Sequence, residues 1–185
     1  MKFSYELSGI GWAEANIEIN GCNGYFSVSY LNDALKELLE AIMILLMECV
    51  PKDEVKKQSK FEWHAEPGGD VWNLTSIDNN QLHILIESYT DLYKKSDKKI
   101  ILDEVCDTRD FIKCIIDEMD NIIKNYGFVG YRETWYNHDF PISAYLKLKN
   151  YLITKKRFNV EHIERYPGNE YSRSELHDEL KLFNI

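Results

Sequence analysis

Apolar and polar residues alternate from Trp12 to Asn20. Ala13, Ala15, Ile17 and Ile19 fall on one side and Trp12, Glu14, Asn16 and Glu18 on the other, which is the period of a half-buried strand. Tyr25 to Leu31 repeats the alternation with Phe26, Val28 and Tyr30, and Gly21-Cys22-Asn23-Gly24 between the two runs has turn composition. Setting Ile19 against Phe26, Ile17 against Val28 and Ala15 against Tyr30 gathers every apolar side chain on one face, so an antiparallel hairpin is predicted. The period then changes. From Asp33 to Cys49, Leu35, Leu38, Leu39, Ile42, Leu45 and Leu46 recur at helical spacing behind a capping candidate at Asn32. The second half of this helix, AIMILLM, is apolar on nearly all sides and calls for cover beyond the sheet, by the C-terminal segment or by a second subunit.

Pro51 to Lys60 reads as a loop. Folding FEWHAEPGGDVWNL (61–74) around Pro67-Gly68-Gly69-Asp70 sets Trp63 against Leu74 and His64 against Asn73. Phe61, Trp63, Ala65, Trp72 and Leu74 then lie on one face and Glu62, His64, Glu66, Asn73 and Thr75 on the other. Leu82 to Tyr89 extends this sheet if Leu74 pairs with Ile86. That register predicts a bulged turn through Asn79-Asn80-Gln81, with Asn80 near the left-handed region and His83 on the polar face with His64.

Further on, Asp107 or Thr108 caps a predicted helix with the stripe Phe111, Ile112, Ile115, Ile116, Met119, Ile122, Ile123 and Tyr126, stopped by Gly127. Val129 to Tyr136 has strand character, with Tyr131 and Trp135 on one strand face. Asp139 and Pro141 open a helix to about Leu152, and Ser174 caps a short terminal helix, Glu175 to Phe183. The predicted class is α+β: an antiparallel β-sheet packed on a central helix, with a mostly helical C-terminal half. One domain over residues 1–185 is expected, with 1–91 as the sheet-and-helix core and 92–185 as a mainly helical extension.

Composition narrows the function classes. The chain has 185 residues, 44% hydrophobic and 29% charged, which suits a water-soluble globular protein large enough to bury a core without disulfides. The opening MKFSYELSGIGW lacks the apolar run of an export signal, and Ala41–Met47 is far short of a membrane span; a cytoplasmic location and no membrane association are expected. Cys22, Cys49, Cys106 and Cys114 form no C-x-x-C pair and read as reduced thiols. No metal or other cofactor is indicated. The net charge of −9 argues against unspecific nucleic-acid binding; Lys155-Lys156-Arg157, the one compact basic triplet, is explained by a solvated helix end.

Candidate chemistry is sparse. Glu62-x-His64-x-Glu66, with His83 on a nearby strand, could form a metal-assisted hydrolytic site, but no nucleophile, phosphate loop or HExxH accompanies it, and a solvated strand face has the same pattern. The acids Asp103, Glu104, Asp107 and Asp110 lack the spacing of a calcium loop and suit an acidic helix start. Arg132, Glu133, His138 and Asp139 lie among aromatics as in a pocket, with Asp139 equally a helix cap. Gly9-x-Gly11 precedes a strand rather than a helix, so no nucleotide site is indicated.

Gly11-Trp12-Ala13, Ser29-Tyr30-Leu31-x-Asp33-Ala34-Leu35 and Glu66-Pro67-Gly68 with Trp72 four residues on, taken in this order, resemble a group of small uncharacterised bacterial proteins, some of which look like immunity proteins of polymorphic toxin systems. The resemblance covers about residues 9–87 and implies no catalytic residues. The expectation it supports is a non-enzymatic protein-binding module that neutralises a cognate toxin. An acidic surface bearing Glu14 and Glu18 would steer a basic partner, and Trp12 and Trp135 would anchor it. The alternatives are the hydrolase using His64, Glu66 and His83, and a homodimer or larger oligomer that buries AIMILLM.

Overall fold

The computed structural model describes every residue except Asn79, Asn137, Asn184 and Ile185. It has a strand ahead of those predicted. β1 (Lys2–Gly9) buries Phe3, Tyr5 and Leu7, turns at Gly11 with φ 75°, and pairs with β2 (Trp12–Ile19), which pairs in turn with β3 (Cys22–Ser29). The β2–β3 hairpin is as predicted but its register is not: Ile19 faces Cys22 rather than Phe26. The turn is Asn20-Gly21, both at positive φ (53° and 85°), as a tight two-residue hairpin turn requires. The shift of four positions is even, so the apolar set keeps its face.

Helix α1 (Ala34–Met43) follows, ending earlier than the apolar run suggests, with turns through residues 44–49. The N-cap position belongs to Asp33, whose side chain makes no capping bond. Asn32 instead ties the helix start to the next sheet: its Nδ2 donates to the Glu37 carboxylate and to the Glu62 carbonyl, and its Oδ1 accepts from the His64 backbone N–H.

The second sheet runs β4 (Gln58–Ala65), β5 (Gly68–Ser76), β6 (Gln81–Tyr89) and β7 (Lys99–Asp107), antiparallel throughout and in sequence order. Here too the predicted faces hold and the registers move. Trp63 faces Asp70 rather than Leu74, because the chain reverses over Glu66-Pro67 alone, and Leu74 faces Ile84 rather than Ile86. Of the turn predicted through Asn79-Asn80-Gln81, Asn79 lies outside the described residues, and Gln81 belongs to β6 rather than to the turn, its carbonyl accepting from the Ile77 N–H at 2.9 Å. Asp103 and Glu104, expected at a helix start, belong to β7; only Asp107 and Asp110 sit at the helix, where Asp107 caps the Asp110 N–H at 2.9 Å.

Helix α2 (Thr108–Thr134) buries the predicted stripe and breaks at Gly127 (φ 64°, ψ 178°) as expected, but helix resumes after the break. The strand predicted for Val129–Tyr136 is therefore absent. Tyr131 in the helix and Trp135 at its C-cap both reach the core, a tertiary gain that outweighs local β preference. Helix α3 (Ile142–Thr154) starts at Pro141, while Asp139 pairs with Arg132 at 2.7 Å instead of capping it. Two further strands, β8 (Glu161–Tyr166) and β9 (Asn169–Arg173), form an exposed hairpin before α4 (Leu176–Leu180). With β7, β8 and β9 in it, the second half is mixed rather than mostly helical.

The architecture is α+β. The inner faces of the two sheets meet through Phe26, whose ring lies 5.8 Å from Trp63 and 5.2 Å from Trp72; α2 packs along β1 and β7, and α3 on α1 and α2. One contiguous core takes side chains from both sides of residue 91. Within it, α3 and β4 contribute cover for AIMILLM: Ala41, Ile42, Met43 and Leu46 are buried, so no second subunit is needed to hide them, and only Met47 is exposed.

Candidate partner-binding face

Alternation along three strands leaves the outer face of the first sheet to solvent. The register aligns Lys2 with Glu18 and Asn23, Ser4 with Asn16 and Tyr25, and Glu6 with Glu14 and Ser27, while Trp12 stands at the end beside Ser29. Lys2 is the one cation on this face among the described residues, and it is committed to Glu18 at 2.7 Å. Glu6 and Glu14 are direct cross-strand neighbours with no cation on either; Glu14 accepts the Tyr25 hydroxyl. Tyr25 is 64% exposed and Trp12 half-buried, so two aromatic surfaces border the acids.

On the β1 edge α2 closes this face into a cleft of about 350 Å³. Glu118 reaches across to accept the Tyr5 backbone N–H at 2.9 Å and is held on its other oxygen by Asn121. Glu6, Glu14, Glu118, Asn16, Asn121 and Asn125 line the cleft, a set of three carboxylates and three amides without a basic side chain. Such a site offers acceptors to a guanidinium or ammonium and repels phosphate.

The residues singled out in the sequence are distributed unevenly about this face. Glu14 and Glu18 are on it and Trp12 at its end. Trp135 is not: its side chain is fully buried, ring centroid 6.0 Å from Tyr5, so it serves the core and not an interface. Glu6 and Glu118 are not legible in the sequence as partners of Glu14, because α2 is remote along the chain; the alternation of Phe3, Tyr5 and Leu7 is the signal that places Glu6 on a strand.

His64, Glu66 and His83 share the outer side of the second sheet without meeting. His83 is aligned with Thr75 and Gln58, six positions from His64 along β4, or roughly 20 Å. His83 pairs with Asp103 at 2.6 Å, the His64 ring packs 5.8 Å from Tyr93, and Glu66 is exposed in its turn. Among the described residues no three His, Cys, Asp or Glu side chains are arranged to hold a metal ion, and no helix is long and apolar enough to cross a membrane.

A second polar group surrounds the start of α1 and includes His138, one of the pocket candidates of the sequence. Burial raises the Asp33 carboxyl against the opposing pull of His138, whose Nδ1 lies 3.8 Å away and whose Nε2 meets the Tyr30 carbonyl at 3.1 Å. The carbonyl can only accept, so His138 donates its Nε2–H to it and is left with Nδ1 facing Asp33. No family model, curated protein or solved structure matches the chain.

Proposed function

We propose that this protein is a non-enzymatic binding module that presents the outer face of β1–β3 to a basic protein, and that it acts as an immunity protein by covering a cognate toxin. The observation that carries the reading is the Glu6–Glu14 pair. Like charges directly opposite on adjacent strands cost stability, and on an exposed sheet a lysine at either position would remove that cost. A partner cation entering the cleft beside Glu118 would remove it as well, so binding relieves a repulsion that the free protein carries. Trp12 and Tyr25 supply apolar contact area beside the charges.

The test is purification of the tagged protein from its native cells, identification of any stoichiometric partner, and measurement of association rates for wild type and for Glu6→Lys/Glu14→Lys. Slower association with a weaker salt dependence in the double variant supports the face. An unchanged on-rate and salt slope removes it, and elution alone with genomic neighbours expressed removes the immunity reading.

A further inference from the structure

Lys2, Lys95 and Lys98 lie against Glu18, Glu62 and Glu87, whereas Lys52, Lys56 and Lys57 meet no carboxylate among the described residues. All three unpaired lysines line one groove of about 520 Å³. Asp53 and Glu54 stand between them in sequence but do not line it. Two carboxylates do. Asp78 is engaged in its own turn, where Oδ1 accepts the N–H groups of Asn80 and Gln81 at 2.8 and 2.9 Å, and Glu48 is left as the opposing charge. On a chain of net charge −9 this is a local reversal of sign. Arg109 adds to it, donating to the Leu152 carbonyl at 2.8 Å beside Tyr151 of the groove wall.

The groove is built where the chain leaves α1. The Lys56 N–H donates to the Ile44 carbonyl at 2.8 Å and the Lys57 carbonyl accepts the Ser76 N–H at 2.9 Å. The segment that carries the lysines is thereby pinned between the turns after α1 and the end of β5. Leu45 and Met47 from those turns share the wall with Val55, Ile77 and Tyr151. Met47 is 59% exposed and Ile77 51%, so two large aliphatic side chains stand in water beside three unpaired ammonium groups. The volume falls within the roughly 300–1,000 Å³ of small-molecule sites. An inorganic anion would answer the lysines and leave Met47 and Ile77 wet, and an uncharged hydrocarbon would do the reverse. A molecule with both parts satisfies both.

We propose that this groove binds an amphiphilic anion, its aliphatic chain laid on Leu45, Met47, Val55 and Ile77 and its single anionic head among Lys52, Lys56 and Lys57. The three ammonium groups outnumber Glu48, and a cationic head would meet them as repulsion. No lining residue belongs to β1–β3, so the site is separate from the proposed partner face.

The experiment is titration of the full chain, its methionines isotope-labelled at their methyl groups, with sodium decanoate below its micelle concentration. Decyltrimethylammonium bromide and inorganic phosphate are the comparisons, a tail with the opposite head and a head without a tail. Decanoate should bind saturably and shift the Met47 methyl resonance ahead of those of Met43 and Met119, while each comparison binds roughly tenfold more weakly or worse. Lys56→Gln/Lys57→Gln removes no ion pair of the fold; it should melt as wild type and lose about tenfold in decanoate affinity, as should Ile77→Ser through lost apolar contact. An equal shift of Met47 by the cationic detergent or by phosphate, wild-type affinity in the lysine variant, decanoate binding that leaves Met47 unmoved, or no binding would overturn the proposal. Co-sedimentation with phosphatidylglycerol vesicles separates the sources: recruitment that the lysine variant loses assigns the groove to a lipid at a membrane surface, and decanoate binding without recruitment assigns it to a free amphiphile.

Discussion

Glu6 on β1 and Glu14 on β2 face each other directly across the exposed side of the first sheet, and no cation among the described residues lies between them. Their repulsion and the acidity of the cleft beside them are one property, so stability and binding should respond in opposite directions to the same substitution. Glu6→Lys is expected to raise the free energy of unfolding by about 0.2–1 kcal/mol, read by urea denaturation, while slowing association with a basic partner. A variant both less stable and unimpaired in association would contradict the assignment.

Asp70 stands on the core face of β5, 5% exposed, opposite Ser88 and Trp63. Burial pushes its carboxyl from 3.8 up to about 6, against a hydrogen bond from Ser88 that pulls it down. The folded state therefore holds a proton that the unfolded chain releases at lower pH. The stability associated with this proton is complete below pH about 4 and is lost as the pH rises through about 6, a change of roughly 3 kcal/mol. Asp70→Asn should gain on wild type by ~1–3 kcal/mol between pH 4 and 7 in denaturant titrations. A constant difference across that range would remove the cause.

Lys149 on α3 is the buried cation among the described residues, its side chain 6% exposed, paired with Asp120 of α2 at 2.7 and 2.8 Å and bonded to the Tyr145 hydroxyl at 2.7 Å. Asp120→Ala leaves that charge unpaired and should cost about 3–5 kcal/mol. The double variant Asp120→Leu/Lys149→Met should recover most of it, and thermal melting of the two variants distinguishes a buried-charge penalty from lost packing.

The thiols divide by burial. Cys49, Cys106 and Cys114 are each pushed up to about 12, by burial first, whereas Cys22 is exposed and is raised by its contact with Glu104, Sγ to Oε1 3.1 Å. A thiol reagent at neutral pH should modify one cysteine per native chain and four after unfolding. Glu104→Gln should speed the native reaction by removing the carboxylate that disfavours the thiolate.

Gly127 carries the break in α2 at φ 64°, ψ 178°, a conformation essentially restricted to glycine, although open space surrounds the place where a Cβ would stand. Gly127→Ala should cost about 1–3 kcal/mol through the backbone alone. Unchanged stability would mean that the helix runs straight through this position.

Which residues face inward was legible along the chain. Alternation at 13–19 and 61–74 and the 3.6-residue stripe at 111–126 are local properties of the backbone, and burial follows them at nearly every position. The Asp107 cap and the break at Gly127 were legible for the same reason, being short-range chemistry. Register was not: any even shift keeps the same faces, and the choice fell to turn geometry at Asn20-Gly21 and Glu66-Pro67. Tertiary contact decided the rest. The segment after Gly127 is helical to Thr134, although Tyr131 and Trp135, four apart, share a face on a strand as well as on a helix, so their spacing does not separate the two. Glu6, Glu14 and Glu118 become one cleft only when β1 is laid between β2 and α2, joining residues more than a hundred positions apart.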